Sequence, residues 1–239
     1  DGFVAEVAAD YDKVRAQHAQ KKGVALVTLA AARANAAKLD YAPFPPRRPG
    51  LHTLCRIHLP KLAEYIDWGP FFQTWDLAGS YPKILDDPEA GAAARNVFAD
   101  AQAMLERIVR EKWLTANGVI ALYPANTVGD DDIEIYADES RQQVLMTWRG
   151  LRMQTERPVV DGVMRPNRCL ADFVAPKGSG KADYVGLFAV TAGLGVEKKE
   201  KQFLDDLDDY SAIMLKALAD RLAEAFAERL HQRVRTEFW

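Results

Sequence analysis

The fold class of this chain is decided by residues 165–239, RPNRCLADFVAPKGSGKADYVGLFAVTAGLGVEKKEKQFLDDLDDYSAIMLKALADRLAEAFAERLHQRVRTEFW. A strand-like run at 182–191 is followed by a glycine-containing turn and then by a long amphipathic helix, which we predict over residues 205–239. One apolar stripe of this helix recurs every four residues and comprises Met214, Leu218, Leu222, Phe226 and Leu230. The pattern predicts a helix that packs with one face against a sheet.

Three shorter β-rich runs precede this segment, at residues 118–123, 133–136 and 144–148, and turn sequences such as GDDD separate them. No helical pattern lies between these runs, so the strands are expected to pair antiparallel. The run at 182–191 is apolar on both alternations, which predicts a central strand. The fold class is therefore α+β: an antiparallel sheet with packed helices and a long amphipathic C-terminal helix.

The first half of the chain is mainly helical. Apolar spacing predicts helices at residues 3–20, 29–39, 59–67 and 91–112. Residues 40–50 contain four prolines and must be extended. We expect one domain over residues 1–239, made of a helical linker (1–22), a mainly helical part (23–115), antiparallel strands (116–192) and the long helix (205–239).

Composition excludes several classes of protein. The net charge is −3, which gives no basic footprint for nucleic acid, and no apolar run is long and unbroken enough to span a bilayer. The two cysteines, Cys55 and Cys169, stand far apart and suggest neither a disulfide framework nor a metal knuckle, which favours a cytoplasmic location. Asp1 in place of an initiator methionine, with no signal-peptide pattern after it, is typical of a segment of a longer protein.

Asp67 is the first candidate site residue. It lies in YIDWGPFFQTWDL, where five aromatic residues could partly desolvate its carboxylate and strengthen its interaction with a cation. The alternative is a structural role, in which Asp67 caps the turn before Gly69 and Pro70. Four aromatic residues follow nearby, and most of them are expected to form core: Phe71, Phe72, Trp75 and Tyr81 are the four.

A second candidate is the side of the last helix that lies nearly opposite its apolar stripe. Four polar residues fall within roughly 80° of one another there by helical geometry: Asp220, Glu224, Glu228 and His231. They could form a solvated face paired with Arg221, Arg229 and Arg235, or a docking face for a partner.

The remaining motifs predict no further chemistry. Lys177-Gly178-Ser179-Gly180-Lys181 lacks the spacing of a phosphate-binding loop and is expected to be a flexible connection. The four histidines show no ligand spacing with cysteines or acids, so no metal site is predicted. No serine, threonine or cysteine has the setting of a nucleophile, and Cys169 is expected to be buried.

Several of these segments together resemble the activation domain of cobalamin-dependent methionine synthase. They are IDWGPFF with the following WDLAGSYP, CLADFVAPK, GLFAVTAG, and DDYSAIMLKALADRLAEAFAE followed by LHQRVR. The resemblance runs from about residue 1 to residue 239. In that family the domain binds S-adenosylmethionine (AdoMet) and supports the reductive methylation of oxidised cobalamin.

The resemblance implies a role for each candidate. Asp67 would bind the AdoMet ammonium, while Asp220 and Glu224 would contact the neighbouring cobalamin-binding module and receive the histidine displaced from cobalt. Cobalamin itself would be bound by that module, and one electron would come from a flavodoxin-like or diflavin reductase. The chain would be one domain of a methyltransferase, without catalytic residues of its own and incomplete as a catalyst alone.

One departure from the family pattern concerns the end of the chain. The family continues through a W-G-Y tripeptide to an R-P-A-x-G-Y-P loop that wraps AdoMet, whereas this sequence stops at Trp239. We therefore expect part of the AdoMet site to lie outside these residues. The alternative function is a non-catalytic module that docks on a partner protein through its acidic helix.

Overall fold

Helices and strands follow the predicted α+β pattern in a computed structural model that describes residues 2–20, 23 and 25–239. The helices are α1 (Gly2–Gln20), α2 (Leu29–Ala34), α3 (Leu59–Ala63), α4 (Gly69–Gln73), α5 (Gly91–Glu111), α6 (Val196–Asp205) and α7 (Asp209–Arg233). The strands are β1 (Gly50–Ile57), β2 (Thr115–Val128), β3 (Asp132–Tyr136), β4 (Val144–Arg149), β5 (Val159–Val160), β6 (Val163–Met164) and β7 (Asp183–Leu194). The predicted linker boundary at residue 22 lies outside the described residues.

By its contacts the chain divides into two units. Unit 1 comprises Asp1–Pro43 and Pro124–Asp183, and unit 2 comprises Phe44–Tyr123 and Tyr184–Trp239. The boundary crosses β2, so the first part of this strand belongs to unit 2 and its end belongs to unit 1. A single domain over residues 1–239 stays a prediction.

Strand pairing confirms the antiparallel sheet. The strands are paired in the order β1-β2-β3-β4, β7 also pairs with β2, and β5 and β6 form a separate hairpin. In unit 2, β1 pairs antiparallel with β2, with Gly50 opposite Leu122 and Thr53 opposite Val119. In unit 1, Ala125 of β2 lies opposite Ile135 of β3, and Ile133 lies opposite Trp148 of β4.

The prediction that residues 182–191 form a central strand is wrong. Among the described strands, β7 pairs with β2 alone, and Phe188 on β7 is 44% exposed. Apolar residues on both alternations therefore do not mark burial on both faces here. The outward alternation of β7 keeps apolar side chains that stay partly in solvent.

The core of unit 2 is built on α7. Its predicted apolar stripe is confirmed, because Met214, Leu218, Leu222, Phe226 and Leu230 are all buried. They pack with buried residues of α3, α4 and α5, such as Leu62, Phe71 and Ile108. Gly118 of β2 permits this packing, since a β-carbon there would lie 2.9 Å from the Phe226 ring. This helix therefore supports every element around Asp67.

Helix ends differ from the prediction in three places. The helix predicted at 29–39 ends at Ala34, and the one predicted at 59–67 ends at Ala63. The long helix begins at Asp209, after Leu207 adopts a positive φ of 58° and the Asp208 side chain caps the Ser211 N–H at 3.0 Å. Beyond Arg233 the chain continues as one π-helical turn, Val234–Phe238.

Candidate functional site

Asp67 lies in the short connection between α3 and α4. Its Oδ1 accepts a hydrogen bond from the backbone N–H of Gly69 at 2.9 Å, so the predicted structural role at this turn is confirmed. The side chain is exposed, which corrects the expectation that the aromatic neighbours would desolvate it. Within the described part of the chain, no lysine or arginine forms an ion pair with Asp67, and no donor bonds its second carboxylate oxygen.

The aromatic residues around Asp67 anchor the turn and leave the carboxylate in solvent. Trp68 is buried and meets the ring of Phe71 edge-on at 5.3 Å and that of Phe98 at 4.9 Å. Such edge-to-face pairs stabilise by about 0.5–1.5 kcal/mol beyond the area that they bury. Asp67 is therefore an exposed acid next to a buried aromatic cluster.

The four aromatic residues near Asp67, most of which are predicted to be core, divide into two groups. Phe71 and Phe72 are fully buried, as predicted. Trp75 is partly buried against the same cluster, and Tyr81 is 39% exposed although its ring stacks on Phe72 at 6.1 Å. The prediction that most of the four form core is confirmed, and Tyr81 is the exception because its ring covers the edge of the cluster.

A tyrosine on the first turn of α7 joins this aromatic group. The ring of Tyr210 lies 5.0 Å from that of Trp75, and its hydroxyl donates to Asp100 Oδ2 on α5 at 2.7 Å. Burial, together with the bond to the Asp100 carboxylate, raises the pKa of Tyr210 to about 12. Tyr210 therefore remains a neutral donor throughout the physiological range.

The polar face predicted on α7 is present. Asp220, Glu224, Glu228 and His231 are all exposed, opposite the buried stripe. Of the predicted arginine pairs, the structure shows only Asp220 with Arg221, at 2.5 Å. Among the described residues no ion pair is formed by Glu224, so this carboxylate faces solvent without a fixed counter-charge. Both the solvated and the docking interpretation are compatible with this arrangement.

Sequence reasoning missed a buried ionic cluster in unit 1. The Arg152 side chain is 1% exposed and donates to Asp131 Oδ1 at 2.6 Å and to Asp172 Oδ1 at 2.7 Å. Its other hydrogen bonds reach Asp172 Oδ2 and the carbonyl oxygens of Asp130 and Asn167. All five guanidinium N–H groups therefore have acceptors.

A second cation completes this cluster. Arg33 Nε on α2 donates to Asp131 Oδ2 at 2.7 Å. Burial would raise the pKa of Asp131, but the hydrogen bonds from Arg33 and Arg152 outweigh it and hold that pKa below its usual value. The only sequence signal was the GDDD turn, and a spacing of 20 or 21 residues from Arg152 to its two acids follows no local rule.

The lysines of the 177–181 loop are occupied by structural contacts. Lys177 Nζ donates to Glu134 at 2.8 Å, and Lys181 Nζ donates to the Tyr41 carbonyl oxygen. The loop contains a short 3₁₀ turn, Lys177–Ser179, and its flexibility stays a prediction. Cys169 is buried as predicted, and Cys55 is exposed.

The described part of the chain contains neither a metal-binding cluster nor a membrane-spanning helix. Across residues 2–20, 23 and 25–239, no group of three or more His, Cys, Asp or Glu side chains is arranged to hold a metal ion. None of the helices described there has the length and apolar character needed to cross a bilayer.

Comparison with known proteins gives two findings. A family model described as vitamin B12 dependent methionine synthase, activation domain, matches residues 58–239. A crystal structure of the MetH reactivation domain bound to AdoHcy is 51% identical in sequence and superposes with a TM-score of 0.81. That match covers 90% of this chain and 65% of the other, so this chain spans slightly less than two thirds of its relative. The chain therefore belongs to the family of vitamin B12 dependent methionine synthase activation domains.

Proposed function

We propose that this chain is the AdoMet-binding reactivation module of a cobalamin-dependent methionine synthase. The observation that carries the proposal is the 51% identity, over 90% of the chain, to a reactivation domain that holds AdoHcy. AdoHcy is the product that remains when AdoMet has given up its methyl group. A docking module without a small-molecule ligand is not favoured, since the relative binds such a ligand.

Asp67 is the residue that we assign to AdoMet. The ligand carries an α-ammonium, and a carboxylate within hydrogen-bond distance of a cation makes a short, charge-assisted bond. Asp67 fits this role because its Oδ1 is held by the Gly69 N–H while its second oxygen remains open to solvent. Its position on a turn anchored by buried Trp68 limits the entropy lost when the ligand binds.

Asp220 and Glu224 are the residues that we assign to the cobalamin-binding module. They lie one helical turn apart on the exposed side of α7, so both can meet the same partner surface. A carboxylate that accepts a hydrogen bond from an imidazole favours the assembly in which that imidazole is displaced. These acids would therefore bias the enzyme toward the reactivating arrangement.

The chemistry comes from the ligands, and this chain contributes binding and orientation. AdoMet supplies a methyl group on a sulfonium, the cobalamin of the neighbouring module is the acceptor, and one electron comes from a flavodoxin-like or diflavin reductase. The whole enzyme would transfer a methyl group from methyltetrahydrofolate to homocysteine. Two free cysteines are compatible with a cytoplasmic location.

Calorimetric titration of AdoMet into the full-length protein tests the proposal. We expect saturable binding, and we expect Asp67→Asn to weaken it about tenfold, which corresponds to about 1.4 kcal/mol. Asp87→Asn is the matched control, because Asp87 is also an exposed acid that accepts a backbone N–H two residues ahead, from Glu89 at 2.9 Å. A parent protein that takes up no AdoMet would overturn the proposal.

A further inference from the structure

The turn that carries Asp67 is attached to the protein on both sides. On the C-terminal side the attachment is buried Trp68, described above. On the N-terminal side the attachment is Tyr65, whose hydroxyl donates to Gln232 Oε1 on α7 at 2.5 Å. Asp67 is thus the exposed residue of a short segment. Buried Trp68 anchors this segment on the C-terminal side, and the hydrogen bond of Tyr65 anchors it on the N-terminal side.

The hydrogen-bonded anchor stands on the same helix as the two docking acids. Gln232 lies on the last turn of α7, and Glu224 and Asp220 lie eight and twelve residues before it. At about 1.5 Å per residue, Gln232 is roughly 18 Å along the helix axis from Asp220. One rigid element therefore holds both the turn with the AdoMet acid and the surface for the cobalamin module.

Other contacts of Tyr65 do not depend on its hydroxyl. Its backbone N–H donates to the Leu62 carbonyl oxygen at 2.8 Å, and its ring is partly buried against the core of unit 2. Within residues 2–20, 23 and 25–239, the hydroxyl makes a hydrogen bond to Gln232 alone. Removing the oxygen alone therefore frees the N-terminal side of the turn while the ring keeps its packing.

We infer that Tyr65 is a positioning residue for AdoMet, which acts through its hydrogen bond to Gln232 by holding the Asp67 turn against α7. The inference rests on the proposed function and deepens it. Misplacing a binding carboxylate by a fraction of an ångström lengthens its bond to the ligand cation, so affinity falls although no ligand contact is deleted. No part of this role requires Tyr65 to touch AdoMet.

The test compares four variants by AdoMet calorimetry on the full-length protein. Tyr65→Phe and Gln232→Ala should each weaken binding about fivefold, which is the size of one lost hydrogen bond. The double variant should be no weaker than either single variant, because both remove the same bond. Gln232→Glu keeps an acceptor for the hydroxyl and should restore affinity to near the parent value.

Tyr210→Phe is the matched control. Like Tyr65→Phe, it removes one hydrogen bond from a tyrosine hydroxyl to another helix of unit 2. Here the bond runs from Tyr210 on the first turn of α7 to Asp100 on α5, at 2.7 Å. It should leave AdoMet affinity unchanged while lowering the melting temperature about as much as Tyr65→Phe. Equal loss of affinity in both variants would reduce Tyr65 to a general stabilising role and overturn the inference.

Hydrogen exchange without ligand gives a second, independent readout. Tyr65→Phe should speed amide exchange at residues 66–69 and leave residues 86–91 as they are in the parent. Unchanged exchange there, or AdoMet affinity within twofold of the parent, would overturn the positioning role while the proposed function stands. A parent that does not bind AdoMet overturns the proposed function first.

Discussion

Arg152 and Asp172 are joined by two hydrogen bonds inside unit 1: Nη2 donates to Oδ1 at 2.7 Å and Nη1 donates to Oδ2 at 3.1 Å. Asp172 Oδ2 also accepts the backbone N–H of Cys169 at 2.9 Å. The pair therefore links the segment after β4 to the segment that contains Cys169. A buried, fork-shaped pair of this kind depends on the planar geometry of arginine.

Replacing Arg152 by lysine should destabilise the protein by about 3–5 kcal/mol, because one ammonium cannot satisfy two buried carboxylates and two carbonyl oxygens. Urea unfolding followed by circular dichroism measures the change. Arg149→Lys is the control: Arg149 also pairs with an aspartate, Asp132, but its side chain is 77% exposed. Arg149→Lys should lower the free energy of unfolding by less than about 1 kcal/mol. Equal effects of the two substitutions would contradict the assignment of the buried cluster.

The same cluster predicts a dependence of stability on acid. The pKa of Asp131 is below its usual value in the folded state, because the hydrogen bonds from Arg33 and Arg152 outweigh its burial. In the unfolded chain an aspartate has a pKa of about 3.9, so Asp131 binds a proton more readily there than in the folded protein. The stabilisation of the fold by ionised Asp131 is present above about pH 4, and it is lost as the pH falls through the lower pKa that Asp131 has in the folded state.

Urea unfolding between about pH 6 and pH 2.5 measures this contribution. The free energy of unfolding of the parent should fall more steeply below pH 4 than that of Asp131→Asn. Asp12→Asn, which removes an exposed acid of α1, should keep the slope of the parent. Parallel curves for the parent and Asp131→Asn would show that Asp131 is not held ionised by the two arginines.

Gly150 should not tolerate a side chain. A β-carbon at this position would lie 2.0 Å from the Asp131 carbonyl oxygen and 2.7 Å from the Cys169 sulfur, both in the interior of unit 1. We expect Gly150→Ala to cost at least about 2 kcal/mol of folding free energy, since backbone must move. Gly178→Ala, where nothing lies within 4 Å of the new carbon, should change stability little. Thermal unfolding of both variants is the measurement.

The two cysteines should differ in reactivity. Cys55 is exposed on β1, whereas Cys169 is 3% exposed and its sulfur faces the Asp131 carbonyl oxygen at 3.6 Å. A thiol reagent in excess should label one site quickly and the second only as the protein unfolds. Mass spectrometry of digested protein should find the early label on Cys55. Early label on Cys169 would contradict its burial.

The two faces of α7 should respond differently to substitution. Glu224→Gln should leave the stability of the ligand-free protein within about 0.5 kcal/mol, because the side chain is exposed. Leu222→Ala, two residues earlier and fully buried, should cost about 2–5 kcal/mol. Chemical denaturation of each variant checks both values. A large loss of folding free energy in Glu224→Gln would mean that the Glu224 carboxylate stabilises the fold and is unavailable for docking.

The parts of the fold that the sequence predicted well are those with a clear period. The apolar stripe of α7 recurs every four residues, and α5 ends within one residue of its predicted limit, at Glu111. Strand β1 was missed because the polarity of its residues does not follow its alternating burial: Leu51 is exposed whereas His52 is partly buried. Its register also shifts between Leu54 and Ile57, where Arg56 has a positive φ of 52°. Helix α6 was missed because it is highly charged and buries only Phe203.

Errors at helix ends come from tertiary contacts that no local pattern encodes. Helix α2 stops at Ala34 because Asn35 is engaged elsewhere: its side chain donates to Asn167 Oδ1 at 2.7 Å and its carbonyl oxygen accepts from the Asn167 N–H. The candidate site shows the same limit. The candidate acids are predictions from a motif, from helical geometry and from the family resemblance, whereas the hydrogen bond between Tyr65 and Gln232 spans 167 residues and could be seen only in the structure.

The interleaving of the two units along the chain has a consequence for how the protein is made. Unit 1 needs residues 124–183 as well as its first 43, and unit 2 needs residues 184–239 as well as 44–123. During translation neither unit has all of its residues until the ribosome has passed position 183. Helix α5 is therefore synthesised before α7, and its apolar face stays exposed until α7 is available to cover it. We expect a chaperone that binds exposed apolar surface to act on the chain during that interval.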